Sequence, residues 1–258
     1  MHPADTIRLA VLIDADNAPG ALARELLEEV SKYGVASVRR AYGDWTTTNL
    51  KGWKEHLHRL AIQPIQQFGY TTGKNATDSA LIIDAMDLLH AGGIDGFCLV
   101  SSDSDFTRLA TRLRESGKAV YGLGERKTPE AFIAACDKFI FLDILRPAEP
   151  VAPAVASPEP VSVKPANAAG SAKPEVSAAE ALYRILSTAI EATARDGGWA
   201  HLPAVGGHIG KNHPSFDARN FGFRRLSDLV RSLRYLDCEE IAPPQGSTAV
   251  HLQIRLKG

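Results

Sequence analysis

The sequence predicts an α/β domain, a mostly parallel sheet sandwiched between helices, followed by a small winged-helix module. Three observations predict it. Over residues 1–146, short apolar runs alternate with amphipathic helical text. Residues 147–177 are rich in Pro and Ala and contain no aromatic residue. Residues 178–258 read as three helices with a terminal pair of strands.

The strand candidates of the first part are RLAVLIDA (8–15), VASVRRAY (35–42), AIQPIQQF (61–68), GFCLVSS (96–102), KAVYGLG (118–124) and KFIFLDIL (138–145). Several are continuous apolar runs, the text of strands covered on both faces. Amphipathic helices are expected between them at 20–33, 49–60, 78–91, 105–116 and 129–136. In such a fold, ligands sit beyond the carboxyl ends of the strands. The segment 147–177 cannot bury enough surface to offset its ordering entropy and is expected to be a flexible linker. That linker would let the two parts search independently and raise effective concentration once one engages. Beyond it, a helix is expected over 178–194, ended by Gly197 and Gly198. Shorter helices follow at 203–209 and 226–233, then two strands around PPQGS.

Composition excludes some function classes. Lys plus Arg number 29 against 30 Asp plus Glu, a net charge of -1, so this is neither a polybasic protein nor one with an acidic tail. The C-terminal part alone nets +2. No apolar run approaches the ~18 residues of a membrane span, and Asp14 comes too early for a signal peptide, so no membrane association is expected. Cys98, Cys136 and Cys238 lie far apart with no CxxC pair, which points away from a disulfide framework and toward a reducing cytoplasm.

The informative feature is where the aspartates fall. Asp14 and Asp16 close the first strand in LIDADN, Asp103 and Asp105 close a later one in LVSSDSDF, and Asp78 opens a helix in KNATDSALIIDAMD. In a parallel sheet all belong to the carboxyl-end rim, so acidic residues from distant parts of the chain would converge on one cleft. Clustered carboxylates repel and raise one another's pKa unless a cation compensates. Mg²⁺ or Mn²⁺, which prefer carboxylate oxygen and water, are the natural compensators. Such a site can activate water and stabilise charge on a phosphodiester. Each motif also has an ordinary explanation: Asp after a strand is often a helix cap or turn residue, and Asp78 follows Thr77, itself a cap candidate. Three such positions on one rim favour the metal-site reading. Asp84 and Asp87, further along the same helix, are weaker candidates.

The series LIDADN, KNATD at 74–78 and SSDSDF resembles the NYN domain, the PIN-like nuclease fold of LabA-like proteins, over roughly residues 7–145. The resemblance implies a metal-dependent ribonuclease. By it, Asp14, Asp78, Asp103 and Asp105 would hold Mg²⁺ or Mn²⁺ and position the attacking water. Asn17 sits in the first motif; Asp16, Ser101 and Asp84 would stand just behind the ligands. Lys74 in the TTGKN loop, and Arg126 with Lys127 after a strand end, are candidates for contacts to the RNA backbone. Tyr42 and Trp45 could stack a base, although core packing is the commoner fate of such aromatics. A HAD-like phosphatase also has a strand ending in D-x-D, but LIDADNA lacks the usual Thr or Val two residues after the second Asp. A non-catalytic RNA-binding adaptor with a vestigial cleft is the alternative reading.

The stretch PSFDARNFGFRRLSDL resembles an OST-HTH (LOTUS) domain, which implies a winged-helix fold, RNA binding and, in some members, a protein partner. Lys211, Arg219, Arg224, Arg225, Arg231 and Arg234 give this module a basic bias suited to phosphates. Phe216, Phe221, Phe223 and Leu226 read as core. His201, His208 and His213 lack the Cys partners and spacing of a structural zinc site. Together the two resemblances imply a cytoplasmic, Mg²⁺- or Mn²⁺-dependent ribonuclease, probing RNA with a second module.

Overall fold

The structure, a computed structural model, describes residues 6–68, 76–146, 178–241 and 251–257. The expected linker and the TTGKN loop with Lys74 lie outside the described residues.

Six strands form one sheet: β1 (Arg8–Asp14), β2 (Val35–Gly43), β3 (Gln63–Gln66), β4 (Gly96–Val100), β5 (Ala119–Gly124) and β6 (Lys138–Phe141). All pairings are parallel and the order is β3-β2-β1-β4-β5-β6. Helices α1 (Ala23–Val30) and α2 (Lys51–Arg59) cover one face. Helices α3 (Ala76–Ala91), α4 (Thr107–Glu115) and α5 (Glu130–Ala135) cover the other.

The central strands show why the sequence reads as it does. In β1, Leu9, Val11 and Ile13 enter the core under α1 and α2, while Ala10 and Leu12 enter the opposite core. A strand buried on both faces has no polar side, so its text is a continuous apolar run rather than an alternation. Two strands are half the expected length. The run 138–145 leaves the sheet after Phe141 and winds into a 3-10 turn, Leu142–Leu145, with Leu142 still buried. The third strand keeps only Gln63–Gln66, at the sheet edge where its Pro64 can be tolerated.

The C-terminal module contains α6 (Ala178–Thr193), α7 (Leu202–Asn212) and α8 (Leu226–Ser232), with β7 (Ala200–His201), β8 (Leu236–Ile241) and β9 (His251–Leu256). The last two form the expected antiparallel pair; β7 adds a short third strand beside β9. Leu186, Ile190, Val205, Ile209, Val230 and Ile254 form its own core. Among the described residues, no helix is long and apolar enough to cross a membrane.

The order of strands reverses between β1 and β4: the chain builds outward through β2 and β3 on one side, then through β5 and β6 on the other. Connections on the two sides diverge there and leave a crevice at the carboxyl ends. The register Ile13↔Val100 sets Asp14 and Ser101, the next residue of each chain segment, side by side at its floor.

Candidate functional site

At that floor Asp14 is completely buried. Its carboxylate is held from both sides: Oδ2 accepts from Asn17 Nδ2 at 2.7 Å and from Ser101 Oγ at 2.8 Å, and Oδ1 accepts from the Asn17 amide at 3.3 Å. Ser101, 3% exposed, also accepts the Asp103 amide at 3.1 Å. One hydroxyl therefore ties the ends of β1 and β4 together, and aims the loop that follows β4. A close approach keeps this loop in place. A Cβ built on Gly124 would lie 2.5 Å from the Ser101 carbonyl oxygen, so only glycine lets β5 run so near.

Beyond Ser101, Asp103 caps the next turn, its Oδ1 accepting the Asp105 amide at 2.9 Å. Asp78 enters from the first turn of α3. Oxygens of Asp78, Asp103 and Asp105 all lie within 4.8 Å of one another. The electrostatics follow. Asp78 is pushed up to about 6, first by burial and then by the charges of Asp14, Asp103, Asp105 and Asp16. Asp16 is raised as well, by burial and by Asp14 and Asp44, against the opposing hydrogen bond from Thr77 Oγ1 at 3.2 Å. Asp78, Asp103 and Asp105 would hold a hard cation through one carboxylate oxygen each. The donor set is all oxygen and carries three charges, which suits Mg²⁺ or Mn²⁺.

The structure thus brings together Asp78, Asp103 and Asp105, sets Asp14 beneath them as the largest single charge acting on Asp78, and keeps Asn17, Ser101 and Asp16 at their side. Lys127 is close too. With Asn17, Ser102, Asp103, Ser104 and Pro129 it lines a hollow of about 270 Å³.

Other expected site residues are engaged elsewhere. Both oxygens of Asp84 are taken, by Arg40 and by the Tyr42 hydroxyl, so this carboxylate fastens α3 to β2 rather than backing the metal ligands. Tyr42 itself is fully buried and so is no stacking platform, while Trp45 is half-buried against the core and donates its indole N–H to the Ile65 carbonyl at 3.0 Å. Arg126 binds Asp143 at 2.9 Å and Asn220 of the C-terminal module at 3.1 Å, and stacks over Phe141. Arg219 is held between Glu29 and Asp217. Both were expected on an RNA surface, and both sit between the two domains instead. Arg231 pairs with Glu240. Arg224, Arg225 and Lys211 are exposed. Asp44 was not singled out from the sequence, although it too follows a strand end on this rim; its Oδ1 accepts from Thr46 Oγ1 at 2.6 Å and Gln66 Nε2 at 2.9 Å.

Comparison with known proteins assigns both parts. The NYN domain matches residues 8–143, and the OST-HTH/LOTUS domain matches residues 177–247. No curated protein matches the chain. Among solved structures, a Vibrio parahaemolyticus protein of unknown function is similar at 18% identity, over 55% of this chain and 96% of its own, with a TM-score of 0.46. A Chromobacterium violaceum protein fragment shares 47% identity over 29% of this chain and 78% of its own, at a TM-score of 0.24. An uncharacterized Nitrosomonas europaea protein shares 33% identity over 40% of this chain and 92% of its own, at a TM-score of 0.27.

Proposed function

The chain belongs to the NYN domain family, with an OST-HTH/LOTUS domain after the nuclease-like one, and from that premise we propose that it is a Mg²⁺- or Mn²⁺-dependent ribonuclease cutting RNA internally. The observation that carries the reading is the carboxylate trio at the switch point of the sheet, with Asp78 raised by burial and then by its neighbours' charges toward neutral pH. Asp78, Asp103 and Asp105 would hold the cation, and Asp14, oriented by Asn17 and Ser101, would complete the set. When bound, the cation supplies Lewis-acid stabilisation of the phosphodiester and lowers the pKa of water. The chain's own part is geometric. Ser101 keeps the two strand ends together, Asn17 fixes the orientation of the Asp14 carboxylate, and Lys127, paired with Glu125 at 2.8 Å, would exchange that partner for a phosphate lying in the adjoining hollow. No protein nucleophile is required.

The LOTUS domain would bring RNA to the cleft through exposed Arg224, Arg225 and Lys211, with a protein partner as a further role. Three free thiols, two of them buried, fit a cytoplasmic setting.

The test is cleavage of a mixed-sequence single-stranded RNA with Mg²⁺ or Mn²⁺, comparing wild type with Asp103→Asn. Loss of cleavage both in EDTA and in the variant supports the reading. Wild-type protein that binds the RNA with either metal and leaves it intact overturns it in favour of a binding adaptor.

A further inference from the structure

Among the described residues, hydrogen bonds join the two domains at three places, and one of them reaches the cleft. First, β6 is an edge strand, whose outward N–H groups need a partner. The Phe139 amide donates to the Pro214 carbonyl of the LOTUS domain at 2.9 Å. Second, Glu29 on α1, only 3% exposed, receives Arg219 as a fork: Nη1 to Oε2 and Nη2 to Oε1, both at 2.8 Å. The adjoining edge of the same guanidinium rests on Asp217, through Nε at 3.0 Å and the shared Nη2 at 2.7 Å. Asp217 therefore sets the fork before docking, so little side-chain freedom is lost on meeting Glu29. Although burial alone would raise Glu29, Arg219 and Lys32 hold its carboxyl below the ordinary range.

The third contact is the consequential one. Residues 125–128 form a turn closed by the Thr128 amide on the Glu125 carbonyl at 3.0 Å. Its base is tied to the cleft, since the Glu125 amide donates to Ser102 Oγ at 2.8 Å. Its tip is tied to the LOTUS domain, since Arg126 Nη2 donates to Asn220 Oδ1 at 3.1 Å. The Asn220 amide nitrogen is in turn fixed on the Ser215 carbonyl at 3.1 Å. Lys127 directly follows these two anchored residues, its Nζ paired with the Glu125 carboxylate at 2.8 Å, in the wall of the hollow beside Asp103.

We propose that the LOTUS domain is docked on the β6 edge as a structural part of the cleft, and that Arg219 and Asn220 are positioning residues which hold the 125–128 turn so that Lys127 faces the phosphate of the bound RNA. The role of Lys127 rests on the ribonuclease reading; the docking does not. The domains therefore do not search independently, and part of the basic surface expected for RNA is used to join them. RNA held by the LOTUS domain then meets the carboxylates at a fixed distance and angle.

The experiment uses the full chain and three variants: Glu29→Gln on the catalytic side, Arg219→Gln on the LOTUS side, and the two together. Amide hydrogen exchange over 125–128 and 138–141 reads the docking without any need for activity. Cleavage of a trinucleotide, too short to engage both domains, reads the cleft. Each single variant is expected to speed exchange in both segments and to lower kcat roughly tenfold with little change in KM. In exchange and kcat the double variant should match the singles rather than add to them, because the Glu29–Arg219 fork is the one contact across the domains that both substitutions break. A folding defect confined to either domain would not give that equality. Unchanged exchange in all three variants overturns the docking. Faster exchange with wild-type kcat overturns the positioning role. If wild type cuts no RNA, the ribonuclease reading and the Lys127 role fall together, while exchange and the cycle still decide the docking.

Discussion

Replacing Asp78 by Asn should make the metal-free protein more stable while abolishing cleavage. The rise from 3.8 to about 6 means that folding works against ionisation of this carboxyl. Unscreened, that rise corresponds to about 3 kcal/mol. Asp78 is half-buried, and water screens a good part of it, leaving about 1.5 kcal/mol. Against this, Asp78 sits in the first turn of α3, where losing a negative charge forfeits about 0.5 kcal/mol of interaction with the helix dipole. The net gain is about 1 kcal/mol, or roughly 3–4 °C in Tm for a domain of this size. The sign depends on pH in a defined way. Between about pH 4 and 6 the folded chain binds more protons at this site than the unfolded chain, so wild type loses stability as pH rises through that window. Asn carries no charge at any pH. Its advantage is thus complete above about pH 6 and gone below about pH 4. Calorimetry of the full chain in EDTA at pH 7.5 and again near pH 4 checks both statements. A lower Tm for Asp78→Asn at pH 7.5, or an advantage of equal size at both pH values, would refute the electrostatic account of this cluster.

Added Mn²⁺ should raise the wild-type Tm at pH 7.5, and the rise should fade as pH drops below about 6, where Asp78 takes up a proton; thermal melts across pH with and without Mn²⁺ read this directly. Ser101→Ala takes a donor from buried Asp14 and an acceptor from the Asp103 amide, and should cost about 1–3 kcal/mol by urea denaturation along with most of the cleavage. Gly124→Ala forces the β5 end away from the Ser101 carbonyl; about 1–3 kcal/mol of stability should go, and activity should fall further than stability explains, because the loop bearing Asp103 moves with it. Arg224→Ala or Arg225→Ala should weaken RNA binding and flatten its salt dependence by about one ion per lost phosphate contact, measured by fluorescence anisotropy at several salt concentrations. Arg219→Ala should leave that slope unchanged, since Glu29 and Asp217 already occupy its guanidinium.

How far the sequence could be read depended on whether a residue's role was set by its own neighbourhood or by a distant one. The text of β1 announced a strand buried on both faces because every position from Leu9 to Asp14 is buried. The aspartates of the rim were legible because each follows a strand, and a parallel sheet puts all such ends on one side. KFIFLDIL misled at its far end because an apolar run only says that side chains are buried. Leu142 meets that demand in a 3-10 turn as well as it would in a strand. Ser101 was visible only as a serine at a strand end; its bridging role follows from β1 lying beside β4, a fact of topology. The charged residues were hardest. Arg126 and Arg219 look in sequence like Arg224 and Arg225, and nothing local distinguishes a guanidinium facing a side chain of the other domain from one facing water. Asp84 failed in the same way: its spacing from Asp78 says nothing about Arg40 and Tyr42 on a strand packed across from it.

The cleft's repulsion has no structural outlet, which bears on what its natural occupant must be. Asp14 and the loop of Asp103 and Asp105 extend from β1 and β4, the two central strands, whose cores are filled on both faces. Close-packed strands cannot drift apart to separate charges. Ser101 joins their ends besides. Burial first, and the neighbouring carboxylates after it, raise the affinity for protons at Asp78 and Asp16. A proton relieves one carboxylate and leaves the others facing each other. A dication attracts Asp78, Asp103 and Asp105 together, so at neutral pH it is the better occupant, and monovalent salt at equal ionic strength should not reproduce its effect on Tm. Stabilisation of wild type by Na⁺ and Mn²⁺ to the same extent at matched ionic strength would mean that the carboxylates act as a diffuse negative surface rather than as a site.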